Sequence, residues 1–279
     1  MTPDVPLVSI ITPVYNGANY LDALIQSVQA QDYPNLEHII IDDGSTDNGA
    51  TIAVLRKYPR LHWWSRENRG QYATMNEGLE AAKGEYVCFI SADDLLLSDA
   101  VQSVVKIFQG NPGYDGVCGF THFITGDGLP YPIKYPFQTV PIRYYAYFSH
   151  ISHCSLYLNR QRLIEDNFLF DASLHYVGDY DWLLRVFAKL RVFQTKQYLS
   201  SVRIHPERTT DRYKQAMEAE FQRVVASHHI NRVSFIFFTD LYILLHDVEK
   251  LRYTWTKKGL SGMYHLFVDR IFRNKRFQE

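Results

Sequence analysis

The 279-residue sequence contains no apolar run of the roughly 18–20 residues that a bilayer-spanning helix requires. It has no internal repeat and no low-complexity tract. Neither Gly-x-Gly-x-x-Gly nor Gly-x-x-x-x-Gly-Lys-Ser/Thr occurs, so dinucleotide-fingerprint and P-loop chemistry lack support. Cysteine is scarce. Cys88, Cys118 and Cys154 are too few and too far apart for a disulfide framework or a zinc site, and they read as reduced core residues of a cytosolic protein. Excess charge is also absent. The net charge of −1 argues against a polyanion-binding surface, so no nucleic-acid partner is expected. Met1 to Leu7 lacks a basic region followed by an apolar one, so no signal peptide is expected and a cytoplasmic location follows.

What the chain does have is core-forming material. Hydrophobic residues make up 46% and aromatics 15%, enough for one large domain or one domain with an appendage. Val8 to Val14 reads as a strand ending in Tyr15-Asn16-Gly17, and Leu21, Leu24, Ile25 and Val28 recur at helical spacing after it. Glu37 to Ile41 is a second strand, Leu61 to Trp64 a third and Tyr86 to Ile90 a fourth, with helices through Ile52–Leu55 and Met75–Ala82 between them. Ser45 and Ser98 are the expected caps of the helices that follow them. Strand and helix alternating through short connections argue for a parallel sheet. Later strands are expected over Asp115–Ile124, Ser152–Leu158 and Tyr198–Ile204, with a long Pro- and aromatic-rich loop over Leu129–Tyr147.

The chemistry gathers where strands end. Asp93-Asp94 follows the fourth strand and Asp42-Asp43 the second, while Thr12 to Asn16 closes the first. Two adjacent carboxylates repel each other and gain nothing from a core. Hard cations such as Mg²⁺ or Mn²⁺ take carboxylate oxygens together with substrate phosphates, and in an open α/β sheet the crevice at the carboxyl ends of the strands is where ligands bind. Asp93 and Asp94 are therefore expected to hold a divalent cation and the polar part of a ligand. Asp179 and Asp181 open another helix. Acidic residues at a helix start are ordinary dipole partners, which accounts for one of them better than for both. His205 falls at the end of the last strand.

In order and spacing, Val8-to-Asn16, Ile41-Asp42-Asp43-Gly44-Ser45-Thr46-Asp47, Glu67-Asn68-Arg69-Gly70, Asn76-Glu77-Gly78, Gly84 through Asp94, and Phe170-Asp171 leading to Gly178-Asp179-Tyr180-Asp181 resemble the family 2 glycosyltransferases of the GT-A fold. The resemblance covers roughly residues 7–208. It implies a GT-A-type, mostly parallel sheet flanked by helices over 1–208, with 209–279 as a C-terminal helical extension. It also implies an inverting, metal-dependent transferase of a nucleotide sugar. The acceptor would be a carbohydrate or lipid-linked hydroxyl, in polysaccharide or glycolipid synthesis of the cell envelope. Residue by residue, it implies Asp42 and Asp43 near the nucleoside base, with uridine favoured, and Thr12, Pro13 and Tyr15 lining the nucleotide pocket. Arg69 would lie near the nucleotide and Asp93 near the ribose. Asp94 would ligate Mn²⁺ or Mg²⁺, with His205 against the diphosphate or metal, and Asp179 would be the general base. Two positions depart from the family pattern: Ser91 stands where a carboxylate is frequent, and Gly178 where a glutamate is frequent. A catalytically silent nucleotide-sugar-binding scaffold on the same fold is the alternative. A nucleotidyltransferase would carry a basic phosphate loop after the first strand, where this chain has Tyr15-Asn16-Gly17-Ala18-Asn19.

Two stretches fall outside that frame. Phe235 to Leu245 is strongly apolar, and residues 250–279 carry eight basic side chains against two acidic ones, with Leu260, Met263, Tyr264, Phe267, Ile271 and Phe272 at helical spacing. Such a helix either lies on an anionic membrane surface, placing the protein at the inner face of the cytoplasmic membrane, or packs on the catalytic domain or a second copy.

Overall fold

The computed structural model describes residues 5–131, 142, 145, 151–208 and 213–230. Residues 1–229 form one compact unit and 230–279 a second. The Phe235–Leu245 run, the basic tail and most of the Leu129–Tyr147 loop lie outside the described residues. Among the described residues no helix is long and apolar enough to cross a membrane.

Strand β1 (Val8–Val14) is buried at every position. It pairs in parallel with β2 (Leu36–Asp42) on one side and β4 (Tyr86–Phe89) on the other, and β3 (His62–Ser65) continues the parallel run beside β2. Strands covered on both faces read as continuous apolar runs, which is the pattern of Ile10-Ile11 and Ile39-Ile40-Ile41, all fully buried. Successive side chains point to opposite faces. Ile10, Ile40 and Cys88 join the core formed with Leu21, Leu24, Ile25 and Val28 of α1 (Ala18–Gln29) and with Val101, Val104, Val105 and Phe108 of α4 (Ala100–Gly110). On the other face, Ile11 and Ile41 meet α3 (Gln71–Ala81), and Phe89 meets Phe170 and Trp182 edge-on. Burial of each such side chain contributes about 1.5–3 kcal/mol.

Beyond β4 the sheet changes direction. Its order is β3-β2-β1-β4-β7-β6-β8-β5, including β5 (Leu95–Leu96), β6 (Gly116–Thr125), β7 (Leu156–Asn159) and β8 (Val192–Ile204). β7 runs antiparallel to both β4 and β6, β6 and β8 are parallel, and β5 is antiparallel to β8. Further helices among the described residues are α2 (Ala50–Leu55), α5 (Arg160–Glu165), α6 (Gly178–Lys189) and α7 (Lys214–Ser227).

Three local expectations change. Ser98 does not cap α4; the Val101 N–H is accepted instead by Gln31 Oε1 at 3.2 Å, from the end of α1. Ser45 does not cap α2 but bonds Asp42, while Asp47 Oδ2 takes the Thr51 N–H at 3.0 Å. Residues 152–155 are not strand: Ser152 Oγ accepts the Cys154 N–H and a 3₁₀ turn, His153–Ser155, precedes β7.

Gly78 sits where α3 touches β1. A Cβ there would lie 2.3 Å from Cγ2 of the fully buried Ile11. Gly78→Ala is expected to lower the unfolding free energy by about 1–3 kcal/mol, the cost of overpacking, read from urea denaturation. A gain of roughly 0.5–1 kcal/mol, the value for a glycine in an uncrowded helix, would contradict this packing.

Candidate active site

A cavity of about 720 Å³ opens at the carboxyl ends of the parallel strands. Pro13 at the end of β1 and Tyr15 just after it, Asp43 after β2, Asp93 and Asp94 after β4, the turn residue His153, Asp179 of α6 and His205 after β8 all line it. Three expected residues do not. Thr12 lies on the α1 face of β1, fully buried, with Oγ1 3.0 Å from His38 Nε2. Asp42 is buried, and its oxygens accept from both Ser45 and Ser65. Arg69 has an exposed side chain outside the cavity wall, and only its backbone N–H takes part, donating to Asp43 Oδ1 at 2.8 Å.

Asp43 organises the segment that leads into α3. Besides the Arg69 N–H it accepts from Gly70 N at 3.0 Å and from the Arg66 guanidinium. Arg66 also reaches Glu77 Oε2 at 2.7 Å and Thr74 Oγ1 at 2.9 Å. A carboxylate with this many donors is fixed before any ligand arrives. Tyr15, exposed at the rim, places its hydroxyl 3.2 Å from Thr46 Oγ1.

The Asp93-Asp94 pair divides between the cavity and the interior. Asp94 is 4% exposed; its Oδ1 accepts from Arg203 N at 2.9 Å and its Oδ2 from Cys154 Sγ at 3.0 Å. Burial, aided by the neighbouring Cys154 and Asp93, pushes the Asp94 carboxyl well above the usual range. Asp93 faces the cavity, with Oδ2 3.0 Å from His205 Nε2. The His205 ring packs against Tyr20 at 4.6 Å, and its Nδ1 is buried without a partner. Arg203, unremarkable in the sequence, holds this corner together: Nε donates to the Asp93 carbonyl, Nη1 to the Gly126 carbonyl, and the guanidinium lies over Tyr20. All three cysteines are buried free thiols, as expected.

No group of three or more His, Cys, Asp or Glu among the described residues is arranged to hold a metal. The Asp93–His205 pair still fits a hard cation that draws its other ligands from phosphate and water. Two ligands at right angles on an ion with 2.0–2.1 Å bonds stand roughly 3 Å apart, which matches the 3.0 Å between Oδ2 and Nε2. Asp94, expected as the ligand, instead has one oxygen on Arg203 and the other on Cys154.

Of the two acidic residues that open α6, Asp181 is committed elsewhere: Oδ2 accepts from Arg185 and Oδ1 lies 2.8 Å from His228 Nε2. Asp179 faces the cavity, with Tyr72 OH 3.5 Å from Oδ1 and His153 Nδ1 3.5 Å from Oδ2. Gly178 has a steric reason, since a Cβ there would lie 2.6 Å from the Tyr72 ring. The turn before α6 is held by Glu220 of α7, 2% exposed, which accepts from the N–H groups of His175 (2.9 Å), Tyr176 (2.6 Å) and Val177 (2.9 Å). Helix α7, expected to begin a separate extension after residue 208, therefore belongs to the first unit. Nothing in the spacing of the α7 sequence signals this contact with a turn more than forty residues earlier.

The family model described as glycosyl transferase family 2 matches residues 9–189. An uncharacterized glycosyltransferase of Rickettsia typhi is 32% identical over 212 residues, 74% of this chain and 66% of that protein. One from Rickettsia bellii is also 32% identical, but there the match spans only 30% of the relative's length. A protein of Bacillus subtilis provisionally named as the teichuronic acid biosynthesis glycosyltransferase TuaG is 35% identical over 135 residues, 47% of this chain and 52% of that one. Among solved structures, S. aureus TarS 1-349 in complex with UDP superposes with a TM-score of 0.61 at 21% identity, covering 81% of this chain and 66% of that one. The mannosyltransferase PcManGT from Pyrobaculum calidifontis, in complex with GDP-Man and Mn²⁺, gives 0.58 at 19% identity over 97% of this chain and 81% of that one. At these identities the likeness concerns the fold, which is of the GT-A type.

Glu220→Ala would leave three backbone N–H groups without an acceptor. Unfolding free energy should drop by about 2–4 kcal/mol, measured by urea denaturation. A change below roughly 0.5 kcal/mol, the level of an ordinary surface substitution, would show that the α7 contact does not hold the turn.

Proposed function

The chain belongs to glycosyl transferase family 2, and from that premise we propose that it moves a sugar from a UDP-linked donor to an acceptor hydroxyl with inversion at the anomeric carbon. The observation that carries this reading is the single cavity shared by Asp93, His205 and Asp179. One wall presents a carboxylate and an imidazole 3.0 Å apart; another presents a carboxylate on a helix start, with the His153 imidazole 3.5 Å from one of its oxygens. The UDP of TarS and the GDP-Man with Mn²⁺ of PcManGT support a nucleotide-diphosphate donor and a divalent ion.

Asp93 and His205 would hold Mn²⁺ or Mg²⁺, which supplies charge neutralisation for a departing diphosphate. Asp43, fixed by Arg66 and the Arg69 and Gly70 N–H groups, would border the nucleoside, with Pro13 and Tyr15 of the neighbouring strand end lining the same cavity. Asp179 would accept the proton of the acceptor hydroxyl as its oxygen bonds to the anomeric carbon. The bond from that carbon to the diphosphate oxygen breaks in the same step, and its electron pair leaves with the nucleotide. A single displacement of this kind needs no enzyme nucleophile. The one thiol on the neighbouring turn, Cys154, is fully buried against Asp94. The provisional name of TuaG favours a cell-envelope polysaccharide or glycolipid as acceptor. The basic 250–279 stretch would then contact the inner face of the cytoplasmic membrane, or mediate self-association.

Asp179→Asn should lower turnover by about 10²–10⁴-fold, the value of general-base assistance. UDP binding, read as a thermal shift with Mn²⁺, should stay at the wild-type level. Turnover close to wild type would remove Asp179 as the base. No turnover by the wild type across UDP- and GDP-sugars would favour a silent sugar-nucleotide-binding protein.

A further inference from the structure

We infer that His153 is the positioning residue of Asp179, and that it reaches the base from the end of β4 through Ser91; this rests on Asp179 being the general base. The imidazole sits between the two. Its Nδ1 is 3.5 Å from Asp179 Oδ2 and its Nε2 is 3.3 Å from Ser91 Oγ, while the side chain is 12% exposed. A ring engaged at both nitrogens cannot rotate freely, so the atom turned toward Asp179 is fixed by the contact on the far side.

The turn that carries His153 is anchored at three points. Ser152 Oγ accepts the Cys154 N–H at 3.2 Å. Cys154 Sγ donates to Asp94 Oδ2 at 3.0 Å. Ser155 Oγ lies 2.8 Å from Thr121 Oγ1 and 2.6 Å from Ser200 Oγ, joining β6 and β8. Opposite His153, Tyr72 OH stands 3.5 Å from Asp179 Oδ1, and the Tyr180 N–H donates to the same oxygen at 2.9 Å. The carboxylate is thus bracketed, with His153 on one oxygen and Tyr72 with the helix start on the other. Burial favours a neutral His153, but the adjacent Cys154 and the Asp179 carboxylate outweigh it and raise the imidazole well above its ordinary range. A donor facing Asp179 is the consistent state.

The geometry also accounts for Ser91. A hydroxyl accepts from or donates to the His153 ring without competing with Asp179 for its charge, whereas a carboxylate at 91 would give the imidazole a second anionic partner. His153 touches neither reacting atom. Its work is to keep one Asp179 oxygen occupied and oriented so that the remaining lone pairs face the acceptor. Misplacement of a reacting group by about 1 Å costs on the order of 10²-fold in rate.

The test measures UDP release from the UDP-sugar that the wild type turns over, with Mn²⁺, in His153→Ala, His153→Asn and His153→Gln, each with and without Asp179→Asn. His153→Ala should lower kcat on the order of 10²-fold with donor KM unchanged within about twofold. Asn should restore most of the loss, because its amide nitrogen stands where Nδ1 does; Gln, which reaches toward Ser91, should restore less. In the Asp179→Asn background, loss of His153 should cost nothing further, because groups that act as one unit are not additive. The Asn and Gln variants answer the same question if the alanine variant does not fold. Wild-type kcat in His153→Ala, raised donor KM at unchanged kcat, better rescue by Gln than by Asn, or a full additional loss beside Asp179→Asn would each overturn the inference while leaving the transferase intact. A wild type that turns over no nucleotide sugar would remove the transferase reading, and this inference with it.

Discussion

The active-site wall depends on one buried carboxyl group. Asp94, between β4 and β5, has one oxygen on the Arg203 N–H of β8 and the other on the Cys154 thiol of the 153–155 turn. These three segments are far apart in the chain, and the Asp94 carboxyl joins them. Burial of a carboxyl is costly; here it raises the Asp94 carboxyl well above its usual range, and both oxygens are satisfied. Asp93, in the turn before Asp94, points the other way, into the cavity. His205, two residues past Arg203, meets Asp93 there, with Nε2 3.0 Å from Oδ2.

Asp42-Asp43 repeats the arrangement at β2. Asp42 turns inward to Ser45 and Ser65, while Asp43 reaches the cavity and fixes the 66–70 segment through Arg66 and two backbone N–H groups. In both pairs the first impression of two equivalent ligands dissolves into one structural and one outward-facing group. The order differs: the structural member comes first in the Asp42-Asp43 pair and second in the Asp93-Asp94 pair.

Much of this was legible beforehand. The apolar runs of β1, β2 and β4, the helical stripe from Leu21 to Val28 and the gathering of carboxylates at strand ends all follow from period and composition, and the family follows from their order. What stayed hidden was long-range. Strand ends told where Asp93 and Asp94 would be, but not which faced the cavity, since that depends on Arg203 and Cys154. Thr12 looked like a pocket residue and is a core one, because alternation along β1 puts it on the α1 face beside His38. The 3₁₀ turn that presents His153 lies inside Ser152–Leu158, a stretch that reads as strand. Glu220 lies in a helix of low hydrophobic content, and its role as acceptor for the turn before α6 exists only in three dimensions. Gly178 looked like a missing glutamate and is the space that the Tyr72 ring needs.

The division of labour between Asp93 and Asp94 is best tested by comparing Asp93→Ala with Asp94→Ala for unfolding free energy in urea and for Mn²⁺-dependent UDP binding by calorimetry. The structure requires Asp94→Ala to lose about 2–4 kcal/mol of stability, through the unpaired Arg203 N–H and the vacated space. Asp93→Ala should stay within roughly 0.5 kcal/mol of wild type, as a cavity-facing substitution does, and lose the metal-dependent part of UDP binding. The reverse pattern, a stable Asp94→Ala that no longer binds UDP with Mn²⁺ beside an Asp93→Ala that still does, would contradict the account.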